Sequence, residues 1–469
     1  MTHSGMQVSQ SAQIPLAEAG EPPSAGGFWR HDPPYHLFIL SSLAFAVLAG
    51  FTLAILAPLS IVLEWGWGRR FMPLIQAHGQ AQILGFVGLF IIGMVYRLMP
   101  RFSGRPLSFP ALAWASWPVL SLAVVLRLIA QPAGEGLWQR TLLVSSGCLG
   151  LLAACAFALV VMGTLLHRSS RADATGYFFV LAAAFFVLQA GINLELVVLA
   201  ARRGSDVIRP LEAAPLLHVQ LYGFIAMFIL GVASRAIPSI SGLPRPQVQA
   251  KALALALAAA VLVFAIAALL VGSGTRSEAL LRIEAASFAA LGPIFLAGVW
   301  VVGIFRPAAN RLAGASQHHI WLLRATFAWL LIAGGMSAYY GVRAIAGGEF
   351  IPAYGVDAVR HAVGIGVASM MIAGMAMLIL PEFAIRRTRH PNERWPALAI
   401  LALLSAAAAL RVAAAVATPH WQNTDRYWPM AIGGMLAEGA LLLFAALFVI
   451  SLIQKNAMVA SFPPRPARE

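Results

Sequence analysis

The chain has 469 residues, 60% of them hydrophobic and 11% charged, with a mean hydropathy of +0.80. Soluble domains are about one quarter charged, so this composition excludes a soluble enzyme, a disordered chain and a disulfide-rich secreted scaffold. The net charge of +14 is almost all arginine set in short loops beside apolar segments, the pattern of membrane flanks and not of a nucleic-acid partner.

Residues 1–34 are polar and rich in Ser, Gly, Pro and Ala, without the apolar core of a signal peptide, and are expected to form a disordered leader. Twelve apolar windows follow, near 36–58, 75–98, 110–131, 141–166, 176–200, 213–236, 250–271, 282–304, 320–343, 358–380, 396–416 and 428–453. Each is about the 20 residues needed to cross a bilayer core. Backbone groups in lipid must be satisfied within the segment, so each window is a helix. Residues 456–469 read as a polar tail. The expected fold is all-α, one membrane domain over 35–455. Sixteen basic residues flank the spans on the N-terminal side against eleven on the other, which favours both termini in the cytoplasm. Cys148 and Cys155, seven apart within the fourth span, read as small core residues on one helix face.

The chain repeats itself. The second span carries His78, Gln82, Gly85, Gly93, Arg97, Pro100 and Gly104; the sixth carries His218, Gln220, Gly223, Gly231, Arg235, Pro238 and Gly242. From Gln82 and Gln220 onward the two sets match at a constant offset of 138. His361, Gly366, Gly374 and Pro381 extend the frame to the tenth span at an offset of 143. His78 lies two residues from the position equivalent to His218 and His361, where Gln80 stands. The spans therefore group as three modules of four helices, about 35–170, 175–305 and 318–455, whose second helices would meet around a pseudo-threefold axis.

Of eleven histidines, only His78, His218 and His361 fall inside spans and inside the repeat. An ionisable residue at membrane depth is costly and usually marks function. Imidazole suits axial ligation of haem or binding of copper; interhelical hydrogen bonding is the alternative. Gln82 and Tyr222 each follow a histidine by four residues, on the same helix face. The paired glycines allow either close helix packing or room for a flat macrocycle. Arg97 and Arg235, near helix ends, could snorkel or hold a propionate. Arg127 and Arg411 lie inside the third and eleventh spans and call for a buried anion, with Glu195, Glu284 and Glu438 as candidates. No Cys-x-x-Cys-His attachment site is present, so a haem would be of b type.

The segments from His218 through Gly223, Gly231 and Arg235 to Gly242-Leu-Pro, Arg360-His361-x4-Gly366, Trp321-Leu-Leu-Arg324 to Trp329, and His78-x6-Gly85-Phe86 resemble the NnrS family, over about residues 30–453. Those are haem- and copper-containing bacterial membrane proteins linked to nitric oxide stress. Where the family often has His-x-His-Glu this chain has His78-Gly-Gln80-Ala81, and Ser239-Ile-Ser-Gly242 replaces a Gly-His-Thr-Gly segment. More broadly the chain is similar to the catalytic subunit of haem-copper oxidases and nitric oxide reductases. The seventh span has no His and the tenth offers only His361, so the full two-haem, three-His copper centre cannot be built. The resemblance implies a haem-copper-oxidase-like fold in the bacterial cytoplasmic membrane, surrounded by lipid. It implies haem b, with copper as a second candidate, and nitric oxide or another small diatomic ligand. A quinol or cytochrome is the candidate electron donor. His78 and His361 are expected to be axial ligands of one haem, with His218 and Tyr222 at a second, incomplete metal site; the rival assignment pairs His218 with His361, which share the same repeat position. The alternatives are a membrane oxidoreductase on the same scaffold and a haem-free transporter.

Overall fold

Among the described residues are twelve helices long and apolar enough to cross a membrane, and the chain is a multi-pass membrane protein. In a computed structural model, residues 35–134, 136–166, 173–275, 277–307, 317–383, 394–421 and 423–460 are described. The expected leader and residues 461–469 lie outside them. The helices are α1 Tyr35–Val62, α2 Gly68–Ser103, α3 Pro110–Ala130, α4 Leu137–Leu166, α5 Ala174–Arg202 and α6 Pro210–Ser241. There follow α7 Gln247–Gly272, α8 Glu278–Val302, α9 His318–Gly347, α10 Ala353–Ile379, α11 Arg394–Val416 and α12 Thr424–Ala457. No strand occurs among the described residues. Helix continues to Ala460, so the start of the expected polar tail is helical.

Several helices outrun their apolar windows. The reason for α2 and α6 is visible in their last turns. Pro100 and Pro238 sit within the helices, and Gly104 (φ 71°) and Gly242 (φ 68°) end them in the left-handed conformation. The N–H of each glycine closes onto the carbonyl of the proline four residues before it. The repeated Pro and Gly are thus a helix stop, which glycine accepts without a Cβ penalty.

Nine helices form a closed ring, touching in the order α1, α3, α4, α5, α7, α8, α9, α11, α12 and back to α1. Inside it stand α2, α6 and α10. Their apolar windows are 83%, 89% and 83% buried, against 33–56% for every ring helix. The ring turns large apolar side chains outward, among them Leu48, Leu159, Ile266 and Ile453. Such a surface is stable only against lipid. Cys148 also faces outward and Cys155 is half-buried. The expectation that both are core residues is corrected: α4 is a ring helix, and residues seven apart on its outer face meet lipid.

All three central helices contain an eight-residue π-helical stretch: Ala81–Gly88, Val219–Ala226 and Ala362–Ser369. These keep the offsets of 138 and 143 found in the sequence. π-turns are rare and concentrate at functional sites. The repeated glycines pack each central helix against the first helix of its module. A Cβ on Gly85 would meet Phe45 at 2.9 Å, on Gly223 Phe185 at 2.7 Å, and on Gly366 Trp329 at 2.5 Å. Gly93, Gly231 and Gly374 are covered in the same way by Phe38, Phe178 and Leu322 with Leu323. The glycines therefore serve close helix packing; the alternative, room for a macrocycle, is not where they point.

Candidate functional site

A cavity of about 470 Å³ opens in the half of the bundle where odd-numbered helices end and even-numbered helices begin. Its wall comes from α1, α2, α3, α6, α10, α11 and α12, and is apolar over most of its area. Among its polar groups are His78 and His361, brought together from α2 and α10, with Gln82 beside them.

Both imidazoles are held by the same device. His78 Nδ1 lies 2.7 Å from the carbonyl oxygen of Gly50, which sits in a π-helical turn of α1, Ala46–Phe51. His361 Nδ1 lies 2.9 Å from the carbonyl oxygen of Asp357, one turn earlier in α10, and 3.1 Å from its Oδ1. A carbonyl oxygen can only accept, so each Nδ1 carries the proton. In the neutral ring Nε2 then keeps its lone pair, as a metal-ligating histidine requires. Neither Nε2 has a partner among the described residues. Gly50 allows α1 to approach: a Cβ there would lie 2.8 Å from the Gln82 amide.

Asp357 also accepts from Arg411 Nη2 at 2.8 Å. The anion expected for Arg411 is therefore Asp357 and not Glu195, Glu284 or Glu438; Glu438 instead accepts from Thr52 Oγ1 at 3.3 Å. Arg127 lines the same cavity, is 3% exposed, and has no hydrogen-bond partner at Nε or Nη1. Arg360, adjacent in sequence to His361, lines it too. The cavity thus holds three guanidinium groups and one carboxylate.

His218 and Tyr222 lie elsewhere. The His218 ring stacks on Phe264 of α7, with centroids 3.7 Å apart and planes within 7°. Tyr222 meets His218 edge-on at 4.6 Å, as their spacing of four suggests. Both are buried, and among the described residues neither His218 Nε2 nor the Tyr222 hydroxyl has a hydrogen-bond partner. Neither lines the cavity. The shared repeat position of His218 and His361 does not bring them together. His78 shares the cavity with His361 despite its two-residue displacement.

Arg97 and Arg235 stand at the far ends of α2 and α6 from the histidines. Arg235 pairs with Asp173 at 2.7 Å and lies over the Phe102 ring. Asp173 also caps α5, accepting from the Gly176 N–H at 3.0 Å. Arg97 lies over the Tyr35 ring at 5.2 Å. Neither arginine reaches the cavity. Near Arg97, just beyond α10, the buried Glu382 accepts from Tyr35 and, at 2.7 Å, from Lys455. Burial pushes the Glu382 carboxyl up, but the bonds from Lys455 and Tyr35 outweigh it and hold the group below its ordinary value.

Among the described residues no three His, Cys, Asp or Glu side chains gather as a metal-binding group. His78 and His361 bring two imidazoles to the cavity, the side chain that ligates haem iron or copper. Sequence reasoning missed Asp357 and Arg360. Asp357 precedes His361 by four residues, one helical turn, and that spacing was the available signal. Arg360 stands at the start of the 358–380 window and, because α10 begins at Ala353, lies about two turns inside the helix. No family model matches this chain and no curated protein is similar to it.

Proposed function

We propose that this chain is a haem-binding integral membrane protein of the NnrS type, seated in the bacterial cytoplasmic membrane and acting in the response to nitric oxide. The observation that carries the reading is the pair His78 and His361. Two imidazoles on two central helices line one membrane-embedded cavity, each with Nδ1 fixed by a backbone carbonyl. His78 and His361 would hold the iron of a b-type haem through Nε2. The haem, when bound, supplies a redox-active iron and an affinity for small diatomic ligands. The protein's own part is to orient both rings, through Gly50 and Asp357, and to keep the site apolar.

An adjoining cleft of about 60 Å³ runs between α2, α6 and α10 and is lined only by apolar side chains, including Met94, Met371 and Met375. Val87 and Ala368 line both spaces. A space of this size and character suits a small apolar gas better than an ion. That favours nitric oxide or a similar diatomic as the ligand. It disfavours the transporter reading, which needs broken helices around a polar substrate site; α2, α6 and α10 run unbroken through the bundle.

The test is the visible spectrum of the purified full-length protein. A Soret band, with pigment fully extracted by acid-acetone, is the expected result. A colourless protein from haem-replete cells, or pigment left on the precipitated chain, would reject b-type haem binding.

A further inference from the structure

The charge of the cavity is not balanced by its own wall. Of its three arginines, only Arg411 has a carboxylate, Asp357. Among the described residues, Arg360 has no carboxylate within ion-pair distance and Arg127 has no ion-pair partner. Arg127 is 3% exposed, and its Nε and Nη1 are buried without any acceptor. It lies near the end of α3, where a guanidinium could turn toward the membrane surface, yet it faces the cavity instead. A buried guanidinium without an acceptor is costly, and the remedy with the best geometry is a carboxylate, which takes two parallel N–H bonds. Most of the remaining wall is apolar, with Phe51, Ile61, Ile83, Leu216, Leu221 and Ile365 among its residues, interrupted by the two histidines and by glutamines such as Gln76 and Gln220.

We infer that the cavity binds an apolar molecule carrying carboxylate groups, and that Arg127 and Arg360 hold those carboxylates. If the haem reading above is right, the carboxylates are the two propionates, and Arg127 and Arg360 take the place that the sequence suggested for Arg97 and Arg235. The inference rests on that reading for the identity of the ligand but not for its charge. A fatty acid from the membrane presents the same chemistry.

The experiment uses full-length protein purified in detergent from haem-depleted cells, titrated with four probes. These are haemin, haemin dimethyl ester, a fluorescent long-chain fatty acid and the methyl ester of that fatty acid. Esterification removes the negative charge and leaves the apolar body. At least one acid should bind roughly ten- to a hundredfold more tightly than its ester, the usual worth of hydrogen bonds to a charged group. Arg127→Gln and Arg360→Gln should each shrink that ratio by about tenfold while leaving ester binding unchanged. The wild-type comparison needs no variant, so a misfolded mutant does not blunt the test. Esters binding as tightly as acids, or no binding of any probe, would overturn the inference. Haemin and its ester binding equally, with a histidine-dependent spectrum, would overturn it and leave the haem reading standing. Acid-selective binding of the fatty acid alone would uphold it, reject the haem reading and identify the source as lipid.

Discussion

His78 donates through Nδ1 to the carbonyl oxygen of Gly50, 2.7 Å away, across the contact between α1 and α2. That bond fixes the tautomer and the direction of the ring. It exists because Gly50 lets the two backbones approach and because the π-helical turn at Ala46–Phe51 places its carbonyl at the interface.

Gly50→Ala should therefore disturb a cavity whose wall Gly50 does not line. The new Cβ would lie 2.8 Å from the Gln82 amide, so the Gln82 side chain must turn away or α1 retreat from His78, and either change alters the wall beside that ring. Loss of such an orienting partner typically lowers metal-site affinity by about 10–100-fold. The haem-to-protein ratio of the purified variant, with His78→Ala for comparison, measures the effect. A normal ratio and spectrum would show that the Gly50 carbonyl does not orient the ring.

Asp357→Asn should lower stability by about 1–3 kcal/mol, because Arg411 loses the charge it pairs with. The effect should be coupled to Arg411. The double variant Asp357→Asn with Arg411→Met should be less destabilised than the sum of the single changes. Thermal unfolding in detergent gives all three values, and strict additivity would mean that the pair does not act as a unit.

Gly366→Ala and Gly223→Ala should each cost about 1–3 kcal/mol through overpacking. Trp329 and Phe185 would meet the new Cβ through atoms at the base of their side chains, which a rotamer change moves little. Gly364→Ala, on the same π-helical stretch but with nothing within 4 Å of its Cβ position, should be nearly neutral. Melting temperatures of the three variants separate packing from any general intolerance of the stretch.

Glu382 should make stability fall in acid. Its folded carboxyl titrates below the ordinary value of 4.5 because Lys455 and Tyr35 bond the charged form. The stabilisation is present above the unfolded value and is lost as pH falls through the lower, folded one. The melting temperature of Glu382→Gln should lie below that of wild type by a constant amount from neutral pH down to about 5. The gap should narrow as pH falls below the ordinary value of 4.5 and close once pH has passed the lower, folded one. A gap that stays open in acid would assign the effect to packing and not to charge.

Much of this architecture was legible in the sequence, because apolar length and loop punctuation act locally. Twelve helices follow from the cost of an unsatisfied backbone in lipid, and the central place of α2, α6 and α10 followed from glycines recurring in one frame. The helix ends were less legible: Pro100 and Pro238 suggested termini, yet they fit within last turns that Gly104 and Gly242 close. The site was half visible. His78, His361 and Gln82 share the cavity, while His218, Tyr222, Arg97 and Arg235 do not line it. A straight-helix count cannot place these residues, since a π-helical stretch changes which face each following side chain occupies. The partner of Arg411 was also hidden, because Asp357 lies on a neighbouring helix more than fifty residues earlier.

The most direct measurement is the low-spin haem signal, by absorption and electron paramagnetic resonance, in His78→Ala, His361→Ala and His218→Ala, each checked for expression and folding. Axial ligation by the cavity pair requires that His78→Ala and His361→Ala each abolish or strongly alter the signal while His218→Ala, stacked on Phe264 outside the cavity, leaves it intact. A normal low-spin signal in His78→Ala together with its loss in His218→Ala would contradict that pairing.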